Sequence, residues 1–449
     1  MMDLLQEARN IINQVDTQMA DLFVQRMGAV EMVAQYKKAH GMPILDPERE
    51  EAVIGNGSAR VEDETLREYY IEFMRDTMSL SRRYQQRLLQ GMKVAHTDFQ
   101  AAYDAAENGE WDGAVLPLEN SYNITMGRGA LSHADAYMKL DRKVLIVTDS
   151  GVPAQYAETV AACCGTPVMV TIPQGEGSKS LENFEMLCRT MLENGFTRTD
   201  CVVAVGGGVV GDLAGFAAAS FMRGIDFYQI PTTVLSQVDA SVGGKVAINL
   251  AQIKNCVGAF HQPKAVLIDP EVLSTLPPRQ IANGLAEAVK MAINFDEGLL
   301  ALFETDDPLA HIDEIIAASL QIKAAVVKAD EKESGLRRVL NFGHTIGHGI
   351  ETAVGLGDLY HGECVALGML PMCSDALRPR VKAILEKLGL PTACTADPEA
   401  VWEAISHDKK LSGDTITVVY APKAGSFELR SMPVADLKET VCAFLGKKE

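Results

Sequence analysis

The stretch 200–219, DCVVAVGGGVVGDLAGFAAA, decides the fold. Cys201–Val205 is a short apolar run of the kind that forms a buried strand, and it ends on three consecutive glycines. Small and apolar residues at helical spacing follow. Gly206, Gly208 and Gly211 stand in G-x-G-x-x-G spacing at this strand-to-helix turn. Glycine lets the backbone approach a pyrophosphate closely, and a helix N-terminus favours its negative charge. By itself the spacing is a weak signal, because the acid expected about 20 residues later is not obvious.

The neighbouring sequence repeats the same alternation. KVLIVTD (143–149) and PVMVTIP (167–173) read as strands before the glycine turn, each followed by a helix, and FYQIP (227–231) reads as a strand after it. Strands alternating with helices predict a parallel α/β sheet. Asp149 ends one strand in IVTDSG, and PQGEGSK places Glu176 and Lys179 at the end of the next. Ligands gather at such strand ends in open α/β sheets. After about residue 278 strand signals nearly vanish. Helical patterns continue to a late strand, TITVVYAP (415–422), and a closing helix.

Toward the N-terminus the pattern is helical. Leu4, Leu5, Ala8, Ile11, Ile12, Val15, Met19, Leu22, Phe23, Val30 and Val33 predict one helix over 3–39, ended by Gly41 and Pro43. Such a helix spans roughly 55 Å. A 90-residue segment cannot cover its whole apolar stripe, so pairing with a second copy is expected. Asp46-Pro47 predicts an N-cap opening a shorter helix, with a break at GNGS (55–58). A third helix is expected over 64–90, with Leu66, Tyr70, Phe73, Met74, Thr77, Met78, Ser81 and Leu88 inward.

Composition bounds what these parts do. A chain of 449 residues suggests two to four domains. No apolar run reaches the roughly 18 residues that span a bilayer, and MMDLLQEARN has no cleavable apolar core, so a cytoplasmic protein without a membrane partner is expected. Nine scattered cysteines argue against a disulfide framework and a cysteine-based zinc site. A net charge of −19 argues against nucleic-acid binding. Anionic substrates must then be held by local basic clusters, against the field of the whole protein.

The first ninety residues hold such a cluster. Arg26, Val30, Val33 and Lys37 lie on one helical line, so two cations share the apolar side. A charge there is costly unless paired. Asp46, Arg49 and Glu50 group on the second helix and Ser81 and Gln85 on the third, with Arg9 near the start. The spacing in ARNIINQVD, FVQRMGAV, YKKAHGMPILDPEREE and SLSRRYQ resembles the all-helical chorismate mutase family over essentially the whole segment. The resemblance implies a homodimer that swaps its long helices, with Arg9 entering the partner's site. It implies Arg26 and Arg49 on the substrate carboxylates, Lys37 and Gln85 on the ether oxygen, and Glu50 on a hydroxyl, with Asp46 and Ser81 completing the site. The chemistry is consistent: a pericyclic rearrangement needs no cofactor, only a folded substrate and stabilised charge on the breaking ether. The alternative is a helical module kept for dimerisation or sensing.

Residues 99–121, FQAAYDAAENGEWDGAVLPLENS, resemble a short internal piece of prephenate dehydratase. No Thr-Arg-Phe motif accompanies it, so no dehydratase activity is assigned.

Downstream, NFGHTIGH carries His344 and His348 at i, i+4, His361 follows in YHGEC, and Glu287 lies in GLAEAVK. Two histidines and a carboxylate would make a catalytic zinc site with open positions, and spacing does not choose between His344 and His348. Arg223, Lys245, Lys254, Lys290, Lys323, Arg337 and Lys409 stand beside Gly, Asn or His motifs and as a group would hold a phosphate and a carboxylate.

Residues from about 120 to 449 resemble 3-dehydroquinate synthase. The carrying motifs are FMRGIDFYQIPTTVLSQVDASVGGK, KNCVGAFHQP, GLAEAVK, KADEKESGLRRVLNFGHTIGH, HGECVALGM and SHDKK. The expected architecture is an all-α module (1–91), a connector (92–119), a Rossmann-like α/β NAD domain (120–278) and a mainly α-helical metal- and substrate-binding domain (279–449). The resemblance implies Glu287, His344 and His361 as ligands of Zn(II), or Co(II) in its place. It implies His348, Asn341, Lys290, Lys323 and Arg337 around the substrate ring and carboxylate. Arg223, Lys245, Asn255 and Lys409 would lie around the substrate or its phosphate, and Asp239 near both substrate and nicotinamide. NAD would contact Asp149, Glu176, Lys179, Gly206, Gly207, Gly208, Asp212, Thr232, Thr233, Lys254 and Thr275. Gly151, Ile253 and Val246 depart from residues common in the family. The implied small-molecule substrates are chorismate and the sugar-phosphate 3-deoxy-arabino-heptulosonate 7-phosphate. A metal- and NAD-dependent polyol dehydrogenase is the competing reading.

Overall fold

The computed structural model of the chain describes scattered positions from Arg9 to Lys37, then residues 47–61, 63–89, 114–118, 122–251, 253–330, 335–355, 358–406 and 415–446. It divides into two compact units, Met1–Asp104 and Ala105–Glu449.

In the first unit every described position between Arg9 and Lys37 is helical, and helices Pro47–Ser58 and Glu64–Leu89 follow. The expected break at GNGS does not occur there. The second helix continues through Gly55 and Gly57 to Ser58, and the turn comes after it. Gly57 lies against the third helix: a Cβ there would lie 2.5 Å from the Tyr70 hydroxyl. Ile54, Thr77, Met78 and Ser81 are buried. Leu66 and Phe73, expected inward, are exposed, as are Leu22, Phe23 and Met32 on the first helical segment. One chain therefore leaves part of the apolar stripe uncovered.

The second unit is built on a seven-stranded sheet of order β1-β2-β9-β6-β5-β3-β4. Its strands are β1 (Ala114–Leu118), β2 (Tyr122–Met126), β3 (Lys143–Asp149), β4 (Thr166–Ile172), β5 (Cys201–Gly206), β6 (Asp226–Pro231) and β9 (Ala265–Ile268). Only β1 runs antiparallel, against β2. The strand of the connector is thus an edge strand of the large sheet, and Pro117 within it is tolerated because an edge strand has a free side. Val144–Val147 and Val202, Val203 and Val205 are fully buried, which is why these strands read as unbroken apolar runs. The chain steps from β3 outward to β4 and returns to β5 on the other side of β3, so a crevice opens at the C-terminal ends of β3 and β5. Asp149 and Gly206 sit at those ends.

One hairpin, and the second strand of another whose first strand was expected, escaped the sequence reading. β7 (Lys245–Leu250) pairs with β8 (Ile253–Phe260), and β10 (Thr415–Tyr420) pairs with β11 (Glu428–Pro433). β8 and β11 are largely exposed and carry little apolar alternation. The C-terminal part is otherwise helical, and helix Pro278–Phe295 is buried continuously from Ala282 to Asn294.

Candidate active sites

That buried helix carries Glu287 and Lys290 one turn apart. Glu287 is 1% exposed; Lys290 Nζ donates to its Oε2, while Oε1 has no hydrogen-bond partner. His344 Nε2 lies 3.5 Å and His361 Nε2 3.6 Å from that oxygen. Burial favours the neutral acid, but Lys290 and then His361 outweigh it and hold Glu287 ionised, well below the usual carboxylate range. Burial, reinforced by Lys290, holds His344 well below the usual histidine range and so neutral. His344 Nδ1 stands 3.1 Å from the Phe342 carbonyl, which fixes its proton there and leaves Nε2 a free lone pair. Burial opposes charge on His361, but Glu287 and Glu351 lift it to about 9. A proton is the smallest cation this pocket can draw in.

His348 follows His344 by one turn and is exposed; one ring nitrogen from each of His344, His348 and His361 lies within 4.8 Å of the others. Two overlapping donor sets therefore exist. A buried carboxylate oxygen without a hydrogen bond calls for a cation, and the two Nε2 atoms facing it are the donors a divalent ion takes with a carboxylate. The residues fit a metal.

Small residues hold this geometry. A Cβ on Gly362 would lie 1.9 Å from the Asn283 carbonyl oxygen, and Gly362 N donates to Asn283 Oδ1 at 2.7 Å. Arg279 grips both oxygens of Glu363 at 2.7 and 2.8 Å and lies over the Tyr360 ring. The helix that starts at His361 is thereby registered against the helix that carries Glu287. Glu351, which the sequence reading missed, accepts from Lys254 Nζ at 2.8 Å and faces His361 Nδ1 at 3.5 Å. Burial opposes its ionisation, but His361 and Lys254 bring it down to about 2. The signal was present: His344, His348 and Glu351 stand at i, i+4, i+7 of one helix.

Beside this group lie buried cations. Lys323 donates to Asp239, which sits in a π-helical turn, Ser236–Ala240, where the chain bulges toward helix Ile312–Ala329. Burial depresses Lys323, with Asp239 opposing and Lys290 and Arg337 adding to the depression. Arg337 is 3% exposed, and a Cβ on Gly243 (φ +103°) would lie 2.4 Å from its guanidinium. Gly243 N donates to the Tyr122 hydroxyl at 3.1 Å, whose burial pushes it up to about 12. Asn341 closes the turn Leu336–Asn341 just before the histidines. Lys290, Lys323 and Arg337 are buried in the same region as Glu287 and Asp239, and their N–H groups are donors suited to an anion's oxygens.

At the sheet crevice, buried Asp149 accepts from Gly151 N at 2.8 Å, and burial raises its carboxyl. A side chain on Gly151 would collide with Gln174, which fills the space a larger residue would take. Gly206–Gly208 lead into helix Gly208–Ser220, whose N-cap Gly207 makes no side-chain cap, and Thr233 packs beside Gly207. Thr232 N donates to Gly206 O at 3.0 Å. Lys179, 4% exposed, donates to Asp212 at 2.6 Å and to Asn255, with Glu176 at 3.6 Å. Thr275 hydroxyl meets Tyr156 hydroxyl at 3.0 Å. Val246 is buried against Gly215, which accounts for an apolar residue there, and Ile253 is exposed. Arg223 and its neighbour Met222 both have positive φ, Lys245 is exposed at the start of β7, and Lys409 lies outside the described residues.

In the first unit Arg26 Nη1 donates to Ser81 Oγ, and Nη2 approaches Met78 Sδ at 3.3 Å. Ser81 Oγ donates to Thr77 O at 2.7 Å, so the hydroxyl is fixed as an acceptor for the guanidinium. Burial lowers Arg26 somewhat. Lys37 is half-buried; Arg9 and Arg49 are exposed. Asp46 lies outside the described residues, as do the side chains of Glu50 and Gln85.

An open sheet with a glycine turn at its switch point, a helical half with a buried histidine–carboxylate group, and a separate helical unit define a two-part enzyme class, one part of nucleotide- and metal-binding design. The chain belongs to the 3-dehydroquinate synthase family: that family's N-terminal model matches residues 169–283 and its C-terminal model 284–411, and residues 8–86 match chorismate mutase type II. The 3-dehydroquinate synthase of Enterococcus faecalis (strain ATCC 47077 / OG1RF) is 41% identical over 355 residues, covering 74% of this chain and 98% of that protein. Among solved structures, 2-deoxy-scyllo-inosose synthase complexed with carbaglucose-6-phosphate, NAD+ and Co2+ aligns with a TM-score of 0.66 at 26% identity, over 74% of this chain and 100% of the other. ValA, the 2-epi-5-epi-valiolone synthase of Streptomyces hygroscopicus subsp. jinggangensis 5008 with NAD+ and Zn2+ bound, aligns with a TM-score of 0.66 at 26% identity, over 74% and 99%. The chain is an enzyme that joins a dehydroquinate synthase to a chorismate mutase domain. No helix among the described residues is long and apolar enough to cross a membrane.

Proposed function

We propose that the second unit converts 3-deoxy-arabino-heptulosonate 7-phosphate to 3-dehydroquinate and phosphate, using NAD and Zn(II) or Co(II), and that the first rearranges chorismate to prephenate. One observation carries the synthase reading: the buried Glu287 Oε1 without a hydrogen bond, facing two Nε2 atoms beside three buried cations. The bound NAD+ and Co2+ or Zn2+ of the related synthases support the same cofactors here. A polyol dehydrogenase would use the metal group and have no use for the phosphate-holding basic residues expected at Arg223, Lys245 and Lys409.

Glu287, His344 and His361 would hold the metal, with His348 beside them. Such a metal would polarise a ring hydroxyl, and NAD would supply hydride transfer at that carbon. The chain's own residues keep one flexible substrate in register while phosphate leaves, the ring opens and an aldol step closes the carbocycle. Lys290, Lys323, Arg337 and Asn341 grip the ring hydroxyls and carboxylate. Arg223, Lys245, Asn255 and Lys409 surround the phosphate. Asp239 stands between substrate and nicotinamide. Asp149, Glu176, Lys179, the Gly206–Gly208 turn, Asp212, Thr232, Thr233, Lys254 and Thr275 line the NAD path.

In the mutase, Arg26 and Arg49 take the carboxylates, Lys37 and Gln85 the ether oxygen, and Glu50 a hydroxyl. Arg9 enters from a second copy, so the protein is a homodimer; the exposed Leu22 (62%), Met32 (71%) and Tyr69 (71%) support a partner over these helices. The working domains are 1–91, 92–119, 120–278 and 279–449, and the setting is the cytoplasm.

The test supplies the heptulosonate phosphate with catalytic NAD and follows phosphate release and reduced nicotinamide together. One phosphate per turnover with no net NADH is expected. Stoichiometric NADH without phosphate would replace this reading with the dehydrogenase.

A further inference from the structure

The Glu351 carboxylate has two partners on two different parts of the second unit. Its Oε1 accepts from Lys254 Nζ at 2.8 Å, and Lys254 belongs to the β7–β8 hairpin. Its Oε2 faces His361 Nδ1 at 3.5 Å, while the Nε2 of the same ring faces Glu287. A histidine that donates one nitrogen to a carboxylate presents the other as a better lone pair, in a fixed ring orientation. A carboxylate that must hold such a ring is itself held best by a cation on its far oxygen. Glu351 is only 15% exposed, so both interactions act largely out of water. His344 needs no such device, because the backbone carbonyl of Phe342 sets its tautomer.

We propose that Glu351 is a positioning residue that sets the tautomer and orientation of His361 as a metal ligand, and that Lys254 completes the relay, so the seating of the β7–β8 hairpin and the metal affinity of the site are coupled. The inference rests on the metal reading given above. Loosening the hairpin weakens metal binding, and loading the metal steadies the hairpin by the same factor.

The test measures zinc affinity of the full-length chain by competition with a chromophoric chelator, and the visible spectrum of the Co(II)-loaded protein. Glu351→Gln should weaken zinc about 10- to 100-fold and displace the Co(II) spectrum, with the metal-free protein still folded by circular dichroism. Lys254→Met, on the partly exposed hairpin, should weaken zinc in the same direction by less. The double variant should bind no more weakly than Glu351→Gln alone, because the two residues act in one relay. Zinc affinity within twofold of the parent in Glu351→Gln, or independent addition of the two effects, overturns the proposal. Glu287→Ala separates the two levels of the argument. If it too leaves zinc affinity unchanged, the metal reading falls and takes this inference with it; if it abolishes binding while Glu351→Gln does nothing, only the relay is wrong.

Discussion

Replacing Gly362 by Ala sets two physical effects against each other. By helix propensity alone, alanine inside helix His361–Met369 should stabilise the protein by about 1 kcal/mol. The packing says otherwise. The new Cβ would lie 1.9 Å from the Asn283 carbonyl oxygen, and contacts under 3.0 Å are essentially never adopted, so the helices must part by at least 1.1 Å. Overpacking of this kind costs about 1–3 kcal/mol, and loss of the Gly362-to-Asn283 hydrogen bond adds about 1. The net expectation is a destabilisation of about 1–3 kcal/mol. The functional effect is larger, because His361 is the preceding residue and metal–ligand distances tolerate only about 0.2 Å. Zinc affinity should fall about 100-fold or more, and phosphate release with it, while prephenate formation stays at the parental rate. Thermal melting and chelator competition give the two readouts. A Gly362→Ala protein that melts at or above the parent and binds zinc equally well would show that the two helices are not registered through this contact.

A chelator should abolish phosphate release and spare prephenate formation, since the metal-type donors lie after residue 280 and the rearrangement needs none; parallel loss of both with unchanged circular dichroism would refute this. Lys37→Ala should lower the mutase catalytic constant by orders of magnitude and leave the synthase intact, because the ammonium faces charge that appears only in the transition state; a near-parental rate would mean another group takes the ether oxygen. Burial raises Asp149, so it takes up its proton at higher pH than an ordinary aspartate and then loses its charge and one of its acceptor oxygens toward a nucleotide. NAD affinity should therefore weaken as pH falls through that raised value, and titration calorimetry on Asp149→Asn should show this dependence gone.

The sheet was legible because parallel strands buried on both faces leave unbroken apolar runs, as in Val144–Val147. The β7–β8 hairpin was not, because its outer strand is mostly exposed and its residues do not alternate. The break expected at GNGS comes at its far end, because the helix runs through Gly55 and Gly57 to Ser58 before the chain turns. In the metal group, spacing alone left His344 and His348 equivalent. The difference lies in what each ring faces, and the Nε2 of His344 on Glu287 Oε1 depends on a helix more than 50 residues earlier in the chain. Glu351 was not singled out in the sequence, although its helical phase with the two histidines was visible.

The antiparallel strand β1 has a consequence for anyone who would separate the two enzymes. It caps β2, which otherwise would offer a row of bare amides and carbonyls along the side of a large parallel sheet. Unprotected edges of that kind recruit strands from other molecules. A free-standing synthase cut at residue 120 would keep every residue proposed for its chemistry and still expose a self-adhesive border, and it should aggregate where one begun ahead of Ala114 stays dispersed. The piece that reads as spacer in the fused gene is, for the downstream enzyme, part of its solubility.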